Sequence, residues 1–397
     1  MSTHITVPLL DLKAQYDAIR DEIEPVVREV IESQWFIMGP NINALEEDVA
    51  RYCHAEHAVG CASGSDAILL ALMALGVGPG DEVIVPTYTF FSTAGSVHRL
   101  GAKPVFADID PVTYNVTADT IRQAAGCCKN LKAIMPVHLF GQMVDMPSMI
   151  ALGKELGVPV IEDAAQAIGS RDASGAWAGQ TGDIGCFSFF PSKNLGAFGD
   201  GGICTTNNDS YAEVMAMLRN HGGKPKYYHR IVGLNSRLDA MHAAVLRVKL
   251  PYLDGWTEGR QKNAAFYDKA FADAGAKTSA TPLHEGGLPI RTPEPAPAGA
   301  RHIYNQYVIR VPEAIRDELR AHLGEKKIGN EVYYPVPLHR QDCFADLGYT
   351  EGALPLAEQA AKETIAIPIY PECTDEQKKY VVDTIVAYVN AHATVTA

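Results

Sequence analysis

The strongest constraint on this chain is a repeated switch between short β-rich runs and helical stretches. "HAVGCAS" leads into "GSDAILLALMALG", and "DEVIVP" is followed by "FFSTAGSVHRLG". "KPVFAD" comes next, "LKAIMPVH" precedes "DMPSMIALGKELG", and "VPVIEDAAQ" follows. The pattern holds to about residue 250 and predicts an α/β fold with a largely parallel sheet covered by helices on both faces. In open sheets of this kind ligands sit beyond the carboxyl ends of the strands. The unusual polar residues of this chain fall just there.

Beyond the alternation, "RLDAMHAAVLRVKLPYLDGWTEGRQKNAAFYDKAFADAG" reads as long helix from Arg237 to about Gly275, bent near Pro251. The Pro- and Gly-rich segment "TPLHEGGLPIRTPEPAPAGARH" reads as an exposed loop. "IYNQYVIRV", a helix near Glu313–Leu323, "KIGNEVYYPVP" and an amphipathic helix near Asp375–Ala391 then make a smaller α/β unit. The expected division is a large domain over residues 1–254 and a small C-terminal domain over 255–397. The length of 397 residues agrees with more than one domain.

A formal net charge of -13 disfavours nonspecific attraction to nucleic acid, which needs a basic surface. It leaves room for an anionic ligand held by a few local donors. No apolar run has the length of a membrane span, and the N-terminal stretch has no basic start followed by an apolar core. The eight cysteines form no CxxC pair, which predicts reduced thiols and a cytoplasmic setting instead of a disulfide framework or a zinc site.

Several residues at strand ends can carry chemistry. Asp163 in "VIEDAAQAIGS" reads as a helix cap or as a functional carboxylate, with Gln166 three residues on. Gly64, Ser65 and Asp66 stand where a strand turns into a helix. Free N–H groups and the helix dipole there suit a phosphate, and a plain capped helix is the alternative. The chain has neither a GxxxxGK[ST] nor a GxGxxG pattern. Lys193, in "GCFSFFPSKNLGAFGDGG", follows an aromatic strand-like run and precedes glycines 196, 199, 201 and 202. A lysine whose pKa is lowered by burial is a nucleophile at neutral pH, which opens carbonyl chemistry through a Schiff base. Pyridoxal phosphate needs such a lysine, a carboxylate for the ring nitrogen, a phosphate cradle and something flat on the ring. The chain offers Lys193, Asp163, the Gly64–Asp66 turn and Phe90, with Ser188 and Ser192 as further contacts.

"SGSDAILLALMALGVGPGDEVIVPTYTFFSTA", "IMPVHLFGQ", "VIEDAAQAIGS", "FSFFPSKNLGAFGDGG", "NHGG", "GLNSRLDAMHAAVLRVKL" and "YYPVPLHRQ" resemble the sugar aminotransferases of the DegT/DnrJ/EryC1/StrS family, from about Pro8 to Pro371. The resemblance implies pyridoxal phosphate fold type I, the aspartate-aminotransferase-like architecture. It also implies a nucleotide-linked keto sugar as amino acceptor and L-glutamate as the typical donor. By position, Lys193 matches the Schiff-base lysine, Asp163 the partner of the pyridine nitrogen and Gln166 a residue near the ring hydroxyl. Ser188 matches a phosphate-binding hydroxyl, Gly64 and Ser65 the phosphate turn, and Phe90 a stacking position. Ser65 stands where the family often has Thr, which keeps the hydroxyl. Asn235 matches a residue that reaches the phosphate of the neighbouring subunit, and Arg237 one close to that shared site. A homodimer with composite sites is therefore implied.

The chain departs from the family pattern at His242, where Gln is common, and at Asn305, where His is common. Tyr333, Tyr334 and His339 read either as acceptor-pocket residues or as core tyrosines and a surface histidine. Two rival functions remain: a dehydratase of the same family, although relatives of that kind that lack the lysine carry histidine there, and a regulatory protein on this scaffold. The roughly 32 residues before "SQWFIMGP" leave no space for an added helix-turn-helix module. The sugar ketone is expected at C3 or C4, and overall similarity favours C3.

Overall fold

The computed structural model describes residues 5–392. The chain opens with α1 (Leu12–Ser33) and α2 (Pro40–Tyr52). The alternating region follows as β1 (His57–Cys61), α3 (Gly64–Ala74), β2 (Glu82–Pro86), α4 (Ser92–Arg99), β3 (Lys103–Ala107), α5 (Ala118–Ala125), β4 (Leu131–Ile134), α6 (Met146–Leu156) and β5 (Ile161–Asp163). It closes with β6 (Ile184–Ser188), β7 (Gly202–Thr206) and α7 (Asp209–Leu218). Then come α8 (Ala240–Lys249), α9 (Leu253–Asp273), β8 (Lys277–Thr278), β9 (Arg291–Thr292), β10 (Tyr307–Arg310), α10 (Glu313–Glu325), α11 (Pro355–Glu363), β11 (Thr364–Ile367) and α12 (Asp375–His392).

The first seven strands form two sheets, ordered β3-β2-β4 and β5-β6-β7-β1. Isolated parallel bridges Ile134↔Val160 and Val137↔Asp163 join them edge to edge. β2 pairs in parallel with β3 and β4, and β5 with β6. Only β7 runs against its neighbours β6 and β1. The central strand β2 carries a continuous apolar run, Val83–Val85, because both its faces are covered. In β2, Val83 and Val85 are buried in one core with α3 and α4, while Ile84 is buried in another with Ile121 and Met149. Each such side chain contributes about 1.5–3 kcal/mol on burial.

The long helix begins later than expected. Arg237 lies in a loop, α8 starts at Ala240, and Pro251 sits in a 3-10 turn, Leu250–Tyr252, between α8 and α9. Proline lacks the N–H an uninterrupted helix requires there. The third sheet, β11-β10-β9-β8, and helices α9, α10 and α12 enclose a separate core around Tyr267, Tyr307, Leu319 and Ile385. Val7 is buried in that core too, bridged in parallel to Ile328, so the start of the chain crosses to it. All eight cysteines are free thiols. Among the described residues no helix is long and apolar enough to cross a membrane.

Candidate active site

Strands β1, β5 and β6 end around one cavity of about 420 Å³. Gly64, Ser65, Phe90, Asp163, Gln166, Ser188 and Lys193 all line it. Larger clefts exist, including one of about 1120 Å³ beside Ser279, His284 and Arg310, but its lining contains no lysine.

Lys193 rides on the loop between β6 and β7. Its N–H donates to Phe190 O at 2.9 Å, Ala197 N–H to Phe189 O at 2.8 Å, and Phe189 N–H to Gly201 O at 2.7 Å. These bonds fold the segment back on itself and turn Lys193 to the cavity. Loss of solvent pulls the Lys193 pKa down to about 8, and the negative charge of Asp163 pushes the other way.

Asp163 ends β5 and is 4% exposed. Its Oδ2 accepts from Thr93 Oγ1 at 2.7 Å and its Oδ1 from Ala165 N–H at 3.2 Å. Burial raises its pKa, against the opposing effects of Thr93, Ala165 and Lys193. No helix begins after it, so the capping alternative does not apply. Gln166 accepts from Phe140 N–H through Oε1 at 2.7 Å and donates through Nε2 to Tyr334 Oη at 3.1 Å. One amide hydrogen is left for a ligand.

The turn after β1 leads into α3, whose N-cap Ser63 accepts from Asp66 N–H at 3.1 Å. Gly64 and Ser65, the first residues of that helix, line the cavity, and Ser65 Oγ lies 2.5 Å from Ser92 Oγ. A Cβ on Gly64 would fall 2.6 Å from Ser188 Cβ, and one on Gly202 2.3 Å from Ser63 O. Glycine at these positions lets the turn approach the end of β6 and the start of β7 closely. Phe90, 56% exposed, presents its ring to the cavity 6.1 Å from that of Tyr334.

The opposite wall comes from the third sheet's side of the molecule: Gln306, Tyr333 and Tyr334. Burial drives the Tyr334 phenol pKa far above its ordinary value, so it stays protonated. His339 does not join this wall, nor is it a surface histidine. It is 2% exposed, with Nδ1 2.7 Å from Thr87 Oγ1 and Nε2 2.9 Å from Glu358 Oε1. It fastens the segment after Tyr334 to the end of β2. Asn235 and Arg237 also lie off the cavity within one chain. Asn235 is exposed and bridged to Asn220, and Arg237 Nη1 donates to Asn220 Oδ1 at 3.1 Å.

Sequence reasoning missed Thr93 and Gln306. Thr93 lies three residues after Phe90, one helical turn into the segment that opens with that ring, and this spacing is a usable signal. Gln306 adjoins the unusual Asn305, whose Nδ2 donates to its Oε1 at 2.6 Å.

The set fits pyridoxal phosphate on its donor chemistry: a lysine of lowered pKa, a buried carboxylate with hydrogen-bond support, and a glycine-lined helix N-terminus. The DegT/DnrJ/EryC1/StrS aminotransferase family model matches residues 17–386. The chain is 50% identical to a Geobacillus stearothermophilus protein named "Pleiotropic regulatory protein", over 97% of this chain and 99% of that one. It is 42% identical to the UDP-N-acetyl-3-dehydro-alpha-D-glucosamine 3-aminotransferase of Acidithiobacillus ferrooxidans, over 95% and 96%. The crystal structure of S. venezuelae DesV in complex with a ketimine intermediate superposes with a TM-score of 0.89 at 38% identity, over 97% of this chain and 98% of DesV. The chain belongs to this family.

Proposed function

We propose that this member of the DegT/DnrJ/EryC1/StrS aminotransferase family moves the amino group of L-glutamate to a nucleotide-linked 3-keto sugar, using pyridoxal phosphate. Family membership supports transamination and the nucleotide-sugar class. The Acidithiobacillus relative, named as a 3-aminotransferase, supports the ring position. One observation carries the reading: Lys193 and the buried carboxylate of Asp163 line one cavity beside the N-terminus of α3.

The cofactor, when bound, supplies a carbonyl carbon and an electron sink for the amino donor. The residues supply the rest. Gly64 and Ser65 N–H groups and the Ser188 hydroxyl would bind the phosphate. Phe90 would cover the ring. Asp163, held by Thr93, would keep a proton on the ring nitrogen, and Gln166 would donate its remaining amide hydrogen to the ring hydroxyl. Lys193 Nζ, partly unprotonated near pH 8, would anchor the cofactor and take and return the substrate proton. Gln306 and Tyr333 face the acceptor sugar.

A homodimer with shared sites belongs to the same reading. The exposed Trp35, Phe36 and Ile37 lie against the loop of Asn235 and Arg237, through the Ile37↔Asp239 bridge and the Ala240 N–H to Phe36 O bond. An apolar surface beside polar residues without a local substrate is what a second copy covers. The free thiols support a cytoplasmic setting.

The regulatory name of the Geobacillus protein favours a second reading, a sensing role on the same scaffold. One experiment separates the two. Protein loaded with pyridoxal phosphate is mixed with excess L-glutamate, and the visible band and 2-oxoglutarate are followed. The expected outcome is bleaching with one 2-oxoglutarate per site. A stable band without 2-oxoglutarate overturns glutamate transamination.

A further inference from the structure

Lys249, the last residue of α8, is 3% exposed, and among the described residues no carboxylate offsets the burial of its charge. Its Nζ donates to Gly196 O at 2.7 Å and sits 4.9 Å from the centroid of the Phe198 ring. Burial lowers its pKa to about 8. A buried lysine without a carboxylate opposes folding, and packing alone is better served by a methionine.

Its partner explains its presence. Gly196 closes the turn that carries Lys193, and a Cβ there would fall 2.3 Å from Pro191 O, so the turn is as tight as the backbone permits. Two turns earlier on the same helix, His242 packs on Gly199: a Cβ on that glycine would lie 2.8 Å from His242 Cε1. Positions seven apart share one helix face. One face of α8 thus grips the Lys193 loop at both Gly196 and Gly199.

We propose that Lys249 is a positioning residue: its ammonium group holds the Gly196 carbonyl and so sets the place of Lys193 in the cavity. The inference rests on the proposed function for its catalytic meaning. It does not rest on it for the grip itself.

The test uses Lys249→Met, which keeps the stem and removes the donor, and Lys249→Arg, which keeps a donor. In unloaded protein, amide exchange over residues 190–199 is expected to rise roughly ten-fold in Lys249→Met, with other segments unchanged. In protein loaded with pyridoxal phosphate, kcat is expected to fall about ten-fold with KM values within about two-fold. The absorption band that depends on Lys193 is expected to titrate at a shifted pH, and Lys249→Arg to recover part of each effect. Tm is expected to hold or rise, since a buried charge is removed. Wild-type local exchange, kcat and titration, with only Tm lowered, would overturn the proposal. If Lys249→Met does not fold, Lys249→Gln is read by the same criteria. A wild-type protein without any Lys193-dependent band sinks the functional reading, while the exchange result still decides whether Lys249 holds the loop.

Discussion

The two walls of the cavity are built differently. The Lys193 wall comes from ends of adjacent strands and the first turn of α3, so backbone pairing and local turns fix its residues. The Gln306–Tyr334 wall comes from loops beside the third sheet, and long-range bonds tie it to the first, among them Gln166 Nε2 to Tyr334 Oη and Leu338 N–H to Thr87 O. On the proposed reading, the difference assigns reaction chemistry to one stretch of chain and acceptor choice to another. Substitutions on the first wall should destroy turnover with any substrate. Those on the second should change which acceptor is used.

The largest effect is expected from Lys193→Ala, which should lower kcat/KM roughly a thousand-fold or more with every acceptor tested. A near-wild-type rate would break the comparison outright. Asp163→Asn keeps the Thr93 contact and removes the charge. It should cost about a hundred-fold in kcat, measured by 2-oxoglutarate release. The pH dependence of cofactor uptake comes next. Only unprotonated Lys193 attacks a carbonyl, so uptake by unloaded protein should rise with pH, about ten-fold per unit below the lysine pKa. It should level off above about 8, where burial has placed that pKa. A rise that continues to the ordinary lysine range near 10.5 would show an exposed lysine. The smallest effect belongs to Gln306→Ala, expected to raise acceptor KM about five-fold with the glutamate half-reaction unchanged. Equal damage to both half-reactions would erase the distinction between the walls.

The same difference explains what was legible in the sequence. The Lys193 wall could be read because each member sits just after a β-rich run: Gly64 after "HAVGCAS", Phe90 after "DEVIVP", Asp163 within "VPVIEDAAQ". The strand pattern places such residues at one edge of the sheet without any knowledge of tertiary contacts. The second wall has no periodicity to follow. Tyr333 and Tyr334 lie between β10 and β11 in a stretch with no strand of its own, and His339 looked equivalent to them. Its ring instead turns to Thr87 and Glu358, a contact spanning 252 residues that local pattern cannot supply. The break at Pro251 was visible, but the start of α8 was not, because Arg237–Asp239 continue a helical pattern that the bridge to Ile37 interrupts. Asn235 and Arg237 lie away from the cavity of their own chain, both held to Asn220.

Gln306, Tyr333 and Tyr334 reach the cavity from loops outside the first seven strands. Insertions or exchanges there need not disturb the strand ends on the other side. If the proposed roles hold, a lineage can drift toward a new sugar by altering those loops while inheriting its amine chemistry intact. For an engineer the same feature defines a compact library: vary residues 304–306, 331–333 and 335–336, keep Tyr334 because it holds Gln166, leave the rest of the gene untouched, and screen for new amino sugars.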